Sequence, residues 1–96
     1  MQIMINYIKD EYWIDDGGDG FYVAFNARND EDIKKAEPIV LNESAYCILR
    51  LFDVKNNEEN ILEELSREYD LNSDSKMYIS ECIRTLLING LIKKAD

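Results

Sequence analysis

The chain has 96 residues, enough for one domain with a single core and too few for two. Apolar residues make up 46% of it and charged residues 32%, a globular rather than a disordered composition. With 20 acidic residues against 11 basic ones and no histidine, the formal charge is −9, a field that repels phosphate backbones and anionic membrane surfaces.

The start, Met1-Gln2-Ile3-Met4-Ile5, is apolar but shorter than a signal-peptide core, and no basic segment leads it. No stretch approaches the roughly 18 apolar residues of a spanning helix. The expectation is a soluble, cytoplasmic, monomeric domain over residues 1–96, with no membrane partner.

Aromatic and branched residues from Tyr7 to Ile14 predict a first strand. Asp15-Asp16-Gly17-Gly18-Asp19-Gly20 supplies a turn, since glycine reaches positive φ without penalty. In Phe21-Tyr22-Val23-Ala24-Phe25, Phe21, Val23 and Phe25 share one face with the period of a half-buried strand, so the two segments form a hairpin. Asn26 to Glu37 is polar apart from Ile33 and reads as a loop with one helical turn around Asp30 to Lys35. Pro38, the only proline, opens Ile39-Val40-Leu41; without an amide donor it suits the start of an edge strand.

Asn42 is a predicted N-cap with Glu43 in the first turn, and Ala45, Ile48, Leu49 and Phe52 recur with helical spacing. A second helix starts near Asn56 or Asn57 with the stripe Ile61, Leu62, Leu65 and Tyr69. A third, capped by Asn72, Ser73 or Asp74, buries Ile79, Cys82, Ile83 and Leu86 and ends at Gly90 in left-handed conformation. Leu91-Ile92 then tucks back onto the core before the basic Lys93-Lys94. Strands followed by helices make an α+β fold, a three-stranded antiparallel sheet followed by three helices. The tight turn between helices two and three allows a helix-turn-helix.

Little here suggests chemistry. Cys47 and Cys82 fall in helical apolar patterns and are expected to be buried, reduced thiols; two cysteines without histidine make no ordinary zinc site. Setting Asp15 at the first position of an EF-hand loop puts Asp19 fifth and Gly20 sixth. Gly17 then occupies a ligand position, and Asn26 replaces the bidentate glutamate, so a solvated turn is expected and no metal or other cofactor. Carboxylates sit in turns and on outward helix faces, and no nucleophile has a base at a recognisable spacing; the protein is expected not to be an enzyme. Helix three offers Lys76 and Arg84 against Glu81, too little positive charge for a duplex reader, so no nucleic-acid partner is expected.

The segment Val40-Leu41-Asn42-Glu43-Ser44-Ala45-Tyr46-Cys47-Ile48-Leu49-Arg50-Leu51-Phe52-Asp53 resembles the strand-to-helix passage of PqqD-like proteins. Its marks are Leu-Asn, a small hydroxyl residue with alanine, two aliphatics and an aspartate. Ile61-Leu62-Glu63-Glu64-Leu65 with Tyr69 is similar to that family's second helix, and Ile79, Cys82-Ile83, Leu86 and Gly90-Leu91-Ile92 to its third helix and exit. The likeness runs from about Tyr7 to Ile92. It departs at Val54, where the family usually has glycine, and in the longer loop Asn26 to Glu37.

The resemblance implies a winged-helix-like recognition element. Such a domain binds the leader of a ribosomally made precursor peptide and presents it to a modifying enzyme, often a radical-SAM protein. The leader would add as a strand along Ile39, Val40 and Leu41, with side chains in a groove beside helix three. Helical-wheel reasoning places Lys76, Ser80, Arg84 and Leu87 on one flank of that helix and Tyr78 and Thr85 on the other. The first flank is the expected groove wall, its cations suiting an acidic leader. The alternatives are a winged-helix DNA-binding or regulatory protein, and a protein–protein module unrelated to peptide maturation.

Overall fold

The computed structural model describes residues 4–27 and 30–95. Met1 to Ile3 of the apolar start, Arg28 and Asn29 of the loop, Asp96, and the Asp30 and Ile33 side chains lie outside the described residues. In chain order the elements are β1 (Asn6–Lys9), β2 (Trp13–Asp16), β3 (Phe21–Phe25), α1 (Asp30–Lys35), β4 (Ile39–Asn42), α2 (Glu43–Arg50), β5 (Asn56–Asn57), α3 (Glu58–Ser66), α4 (Ser73–Ile88) and β6 (Ile92–Ala95). The fold is α+β.

Each of the three longer helices starts on an asparagine in extended backbone. Asn42, Asn57 and Asn72 accept, through their side-chain oxygens, the amides of Ala45 (2.8 Å), Asn60 (2.9 Å) and Ser75 (2.8 Å). These bonds satisfy amides that a helix start otherwise leaves orphaned. Glu43, Glu58, Glu59 and Asp74 occupy the first turns, where the helix dipole favours negative charge. Gly90 ends α4 with φ +74°, and its missing Cβ leaves room for the Asn26 side chain, which packs against it.

The strands form two antiparallel three-stranded sheets, ordered β5-β1-β6 and β2-β3-β4, rather than one. The expected continuous strand Tyr7 to Ile14 is split between them. At the break, the Lys9 amide donates to Phe52 O (2.8 Å) and the Asp10 amide to Leu91 O (2.9 Å), so the backbone is tied to the end of α2 and to the chain exit. The two strands absent from the sequence reading are short or disguised. β5 has only two residues, and β6 carries Lys93-Lys94 at its centre.

The core lies between the helices and both sheets, with Leu49, Phe52, Ile61, Leu86, Leu91 and Ile92 as its largest fully buried side chains. Tyr7 of β1 meets Phe52 edge-on at 6.2 Å. On β3 the core-facing residues are Tyr22 and Ala24, which corrects the expectation for Phe21, Val23 and Phe25. Ala24, fully buried, is small enough for α2 to come close, while Tyr22 stacks on Tyr46 of α2 at 3.8 Å between ring centroids. Phe21, Val23 and Phe25 take the opposite face, and the Phe21 ring lies against Gly17.

Both cysteines are free, but neither is fully buried, contrary to expectation. Cys82 is half-buried and Cys47 is exposed, one position off the stripe of Ile48, Leu49 and Phe52. Tyr69, placed in the second helix's apolar stripe, falls beyond α3 and is exposed. Among the described residues, no helix is long and apolar enough to cross a membrane.

Candidate functional site

A sheet edge invites another strand unless something blunts it. In the β5-β1-β6 sheet, β5 offers two residues and β6 carries Lys93 and Lys94. In the other sheet, β2 ends in Asp15-Asp16, whereas β4 presents Ile39, Val40 and Leu41 in succession without a charge. Among the described residues β4 pairs on one side only, with β3, in the register Val23↔Val40 and Phe21↔Asn42. Ile39 and Leu41 turn toward the core while Val40 stands 67% exposed. Pro38 stands just before the strand, so the free edge is short, and it is aliphatic from Ile39 to Leu41.

At the far end of β4, Asn42 does two jobs. Its oxygen caps α2, and its Nδ2 donates to the Tyr78 hydroxyl of α4 at 3.2 Å. The first half of α4 is thereby held against the end of the edge strand. A groove of about 1100 Å³ opens there between α2, the end of α3 and the start of α4. Ile48, Leu51, Leu65, Leu71 and Ile79 give it an apolar floor, and Cys47, Tyr69 and Tyr78 stand along its walls. Glu43, Glu64, Glu68, Asp70 and Asp74 also line it.

The expected groove wall lies elsewhere. Ser80, Arg84 and Leu87 line a separate hollow of about 520 Å³ with Met4, Ile5 and Tyr7 at the start of the chain and Glu58 and Glu59 of α3. Lys76 is exposed and lines neither depression. Ile39, Val40 and Leu41 are therefore brought together on the free edge, but not with Lys76, Ser80, Arg84 and Leu87. With Ile79, Ile83 and Leu86 buried, the flank of α4 that reaches β4 is the one carrying Tyr78. The sequence pattern places both flanks equally well. What it lacked was the side of α4 on which β1 would lie, and that followed from the unexpected split of the first strand.

Asp53, the aspartate of the strand-to-helix passage, has a structural partner. It accepts from Arg50 Nε at 2.9 Å, and Arg50 also donates to the Tyr46 hydroxyl at 3.2 Å. The bond to Tyr46 and the charge of Asp53 raise the Arg50 pKa further. Tyr12 is held above its ordinary range by burial first and by Asp53 second.

The acidic hairpin loop is closed by its own backbone. The Gly17 amide donates to Phe21 O (2.9 Å), the Phe21 amide to Gly18 O (3.1 Å), and Asp16 accepts from the Gly18 amide (2.9 Å). Gly18, Asp19 and Gly20 all have positive φ. Among the described residues, no three Cys, Asp or Glu side chains are grouped to hold a metal ion. No protein-family model, curated protein or solved structure matches the chain.

Proposed function

We propose that the protein is a non-enzymatic, cytoplasmic adaptor that binds an extended peptide by strand addition to β4. The peptide is the leader of a precursor, which the adaptor presents to a separate modifying enzyme. One observation carries this reading: of the four sheet edges among the described residues, three are blunted by length, lysines or aspartates, and β4 is left uncharged, aliphatic from Ile39 to Leu41 and unpaired on its outer side. The Asn42–Tyr78 bridge supports it by setting a side-chain groove at the end of that same strand. The PqqD-like order of motifs from Val40 to Ile92 points the same way.

The backbone of an added strand supplies affinity, and the pockets beside it supply selectivity. A segment of about five residues with one or two buried anchors reaches roughly micromolar affinity, about −8 kcal/mol, after ordering costs. The test is an NMR titration of labelled protein with the leader of a precursor peptide encoded beside this gene. Amide shifts at Ile39 to Asn42 and cross-strand contacts between peptide and β4 are expected. Shifts confined to the hairpin loop at Asp15 to Gly20, with β4 silent, would reject strand addition.

A further inference from the structure

We infer that the groove between α2, α3 and α4 receives a basic segment of the bound peptide, in which lysines or arginines flank apolar anchors. This rests on the peptide-binding reading and reverses the charge expected from Lys76 and Arg84. Five carboxylate residues, Glu43, Glu64, Glu68, Asp70 and Asp74, line the groove, and no lysine or arginine does among the described residues. Four of them fall between Glu64 and Asp74, from the end of α3 through the connection into α4, and the packing of α2 brings Glu43 to the same groove. Glu43 and Asp74 sit in the first turns of α2 and α4.

The floor beneath them is apolar. Ile48 and Ile79 are buried, while Leu51, Leu65 and Leu71 are half-exposed. Tyr69 at 61% and Tyr78 at 44% exposure stand as aromatic walls that neither core nor sheet covers. The volume, about 1100 Å³, lies above the roughly 300–1,000 Å³ of small-molecule pockets, and the shape is an open trough. Apolar side chains would fill the floor, and their cationic neighbours would meet the carboxylates around it. A second copy of this chain, with its charge of −9, suits the rim poorly, as do a phosphate backbone and an anionic membrane. The hollow beside β1 makes the contrast: there Arg84 stands among Glu58 and Glu59, and the charge is mixed.

Cys47 lies in this groove and reports its occupancy. In the Cys82→Ser protein, iodoacetamide labels Cys47 alone. Three degenerate peptide pools serve as probes: one of Lys, Arg, Leu, Ile and Phe; one with the same apolar residues and Asp and Glu; one of Lys, Arg, Ser and Gly. The first pool is expected to slow Cys47 alkylation about tenfold and to shift the amides of Ser44, Cys47, Leu65, Leu71 and Ser75. Doubling the salt weakens that protection, and E64Q/E68Q weakens it by about threefold or more. The acidic pool and the pool without anchors leave the alkylation rate unchanged. Equal protection by the acidic pool, no protection by the first pool, or full protection of E64Q/E68Q overturns the inference. Failure of strand addition is read separately, at Ile39 to Asn42, and leaves the Cys47 result standing.

Discussion

The two sheets have the same number of strands and very different relations to the core. In the β5-β1-β6 sheet, the chain exit and the entry to α3 close on β1 from both sides. Ile92 is buried, Tyr7 packs edge-on against Phe52, and Asn57 at 7% exposure bonds across to Asn6 Oδ1 at 3.1 Å. In the β2-β3-β4 sheet Ile14, Tyr22, Ala24, Ile39 and Leu41 pack on the core, while Trp13 and Val40 on the opposite face are 49% and 67% exposed. One sheet is a clasp that joins the termini of the fold; the other is a platform that offers an edge. Residues of similar chemistry therefore have different worth in the two. The first closes the ends of the chain onto the core, and under the proposed function the second supplies the edge that a peptide would join.

The largest expected effect tests that division directly. Ile92→Ala removes a fully buried side chain and should cost about 2–5 kcal/mol of unfolding free energy. Val40→Ala, at a position 67% exposed, should stay within about 0.5 kcal/mol. Urea unfolding midpoints measure both, and comparable losses would erase the distinction between clasp and platform. Next comes proline along β4. Alternate amides of an edge strand point outward, so Ile39→Pro and Val40→Pro must differ. The variant that loses an outward amide should stay folded and bind its peptide about tenfold more weakly, or about 1.4 kcal/mol. The other loses a bond to β3 and should unfold more easily. Identical behaviour of the pair would mean that the edge is not where the peptide sits.

The helices were legible because their signals are local. An asparagine cap, an acid in the first turn and an apolar stripe lie within one stretch of chain at Asn42, Asn57 and Asn72. The edge strand after Pro38 was legible for the same reason. The sheets were not, because pairing is decided between distant segments. Nothing near Tyr7 says that it will pair with Lys94 and Asn56, or that Trp13 will join the other sheet opposite Phe25. Tyr22 and Phe21 fit either face of β3 by propensity, and the choice followed from the approach of α2 to Ala24. The groove suffered most: its carboxylates are visible at Glu64, Glu68, Asp70 and Asp74, but their convergence with Glu43 depends on how three helices pack.

A smaller effect separates the caps. Asn57→Ala removes the acceptor for the Asn60 amide and also the bond to Asn6, both partly buried, and should cost about 1–2 kcal/mol. Asn72→Ala removes the corresponding cap bond at an exposed position and should cost about 1 kcal/mol or less. Thermal melts of the two variants decide. An equal loss would show that Asn57 acts only as a cap and contributes nothing to joining β1 to β5.

The smallest expected effect is a dependence on alkaline pH, and it comes from the core side of α4. Burial raises the Cys82 thiol above its ordinary value, because a thiolate there would be poorly solvated. Between the unfolded and the folded thiol values the native state therefore holds more protons than the unfolded chain. Its stability must then fall as pH rises. The contribution is complete below the unfolded thiol value, about 8.5, and is lost as pH climbs through the raised folded value. Cys82 is only half-buried, so solvent screening keeps the loss below about 1 kcal/mol. Tyr12, also raised, acts in the same direction, but only near its ordinary range of about 10 and above, which leaves a window in which the thiol acts first. With Cys47 replaced by serine in both proteins, urea midpoints between about pH 8 and pH 9.5 should decline for the chain that keeps Cys82. They should decline less for the one carrying Cys82→Ala. Parallel slopes would show that α4 lets water reach Cys82 and that the core boundary there is looser than its packing implies.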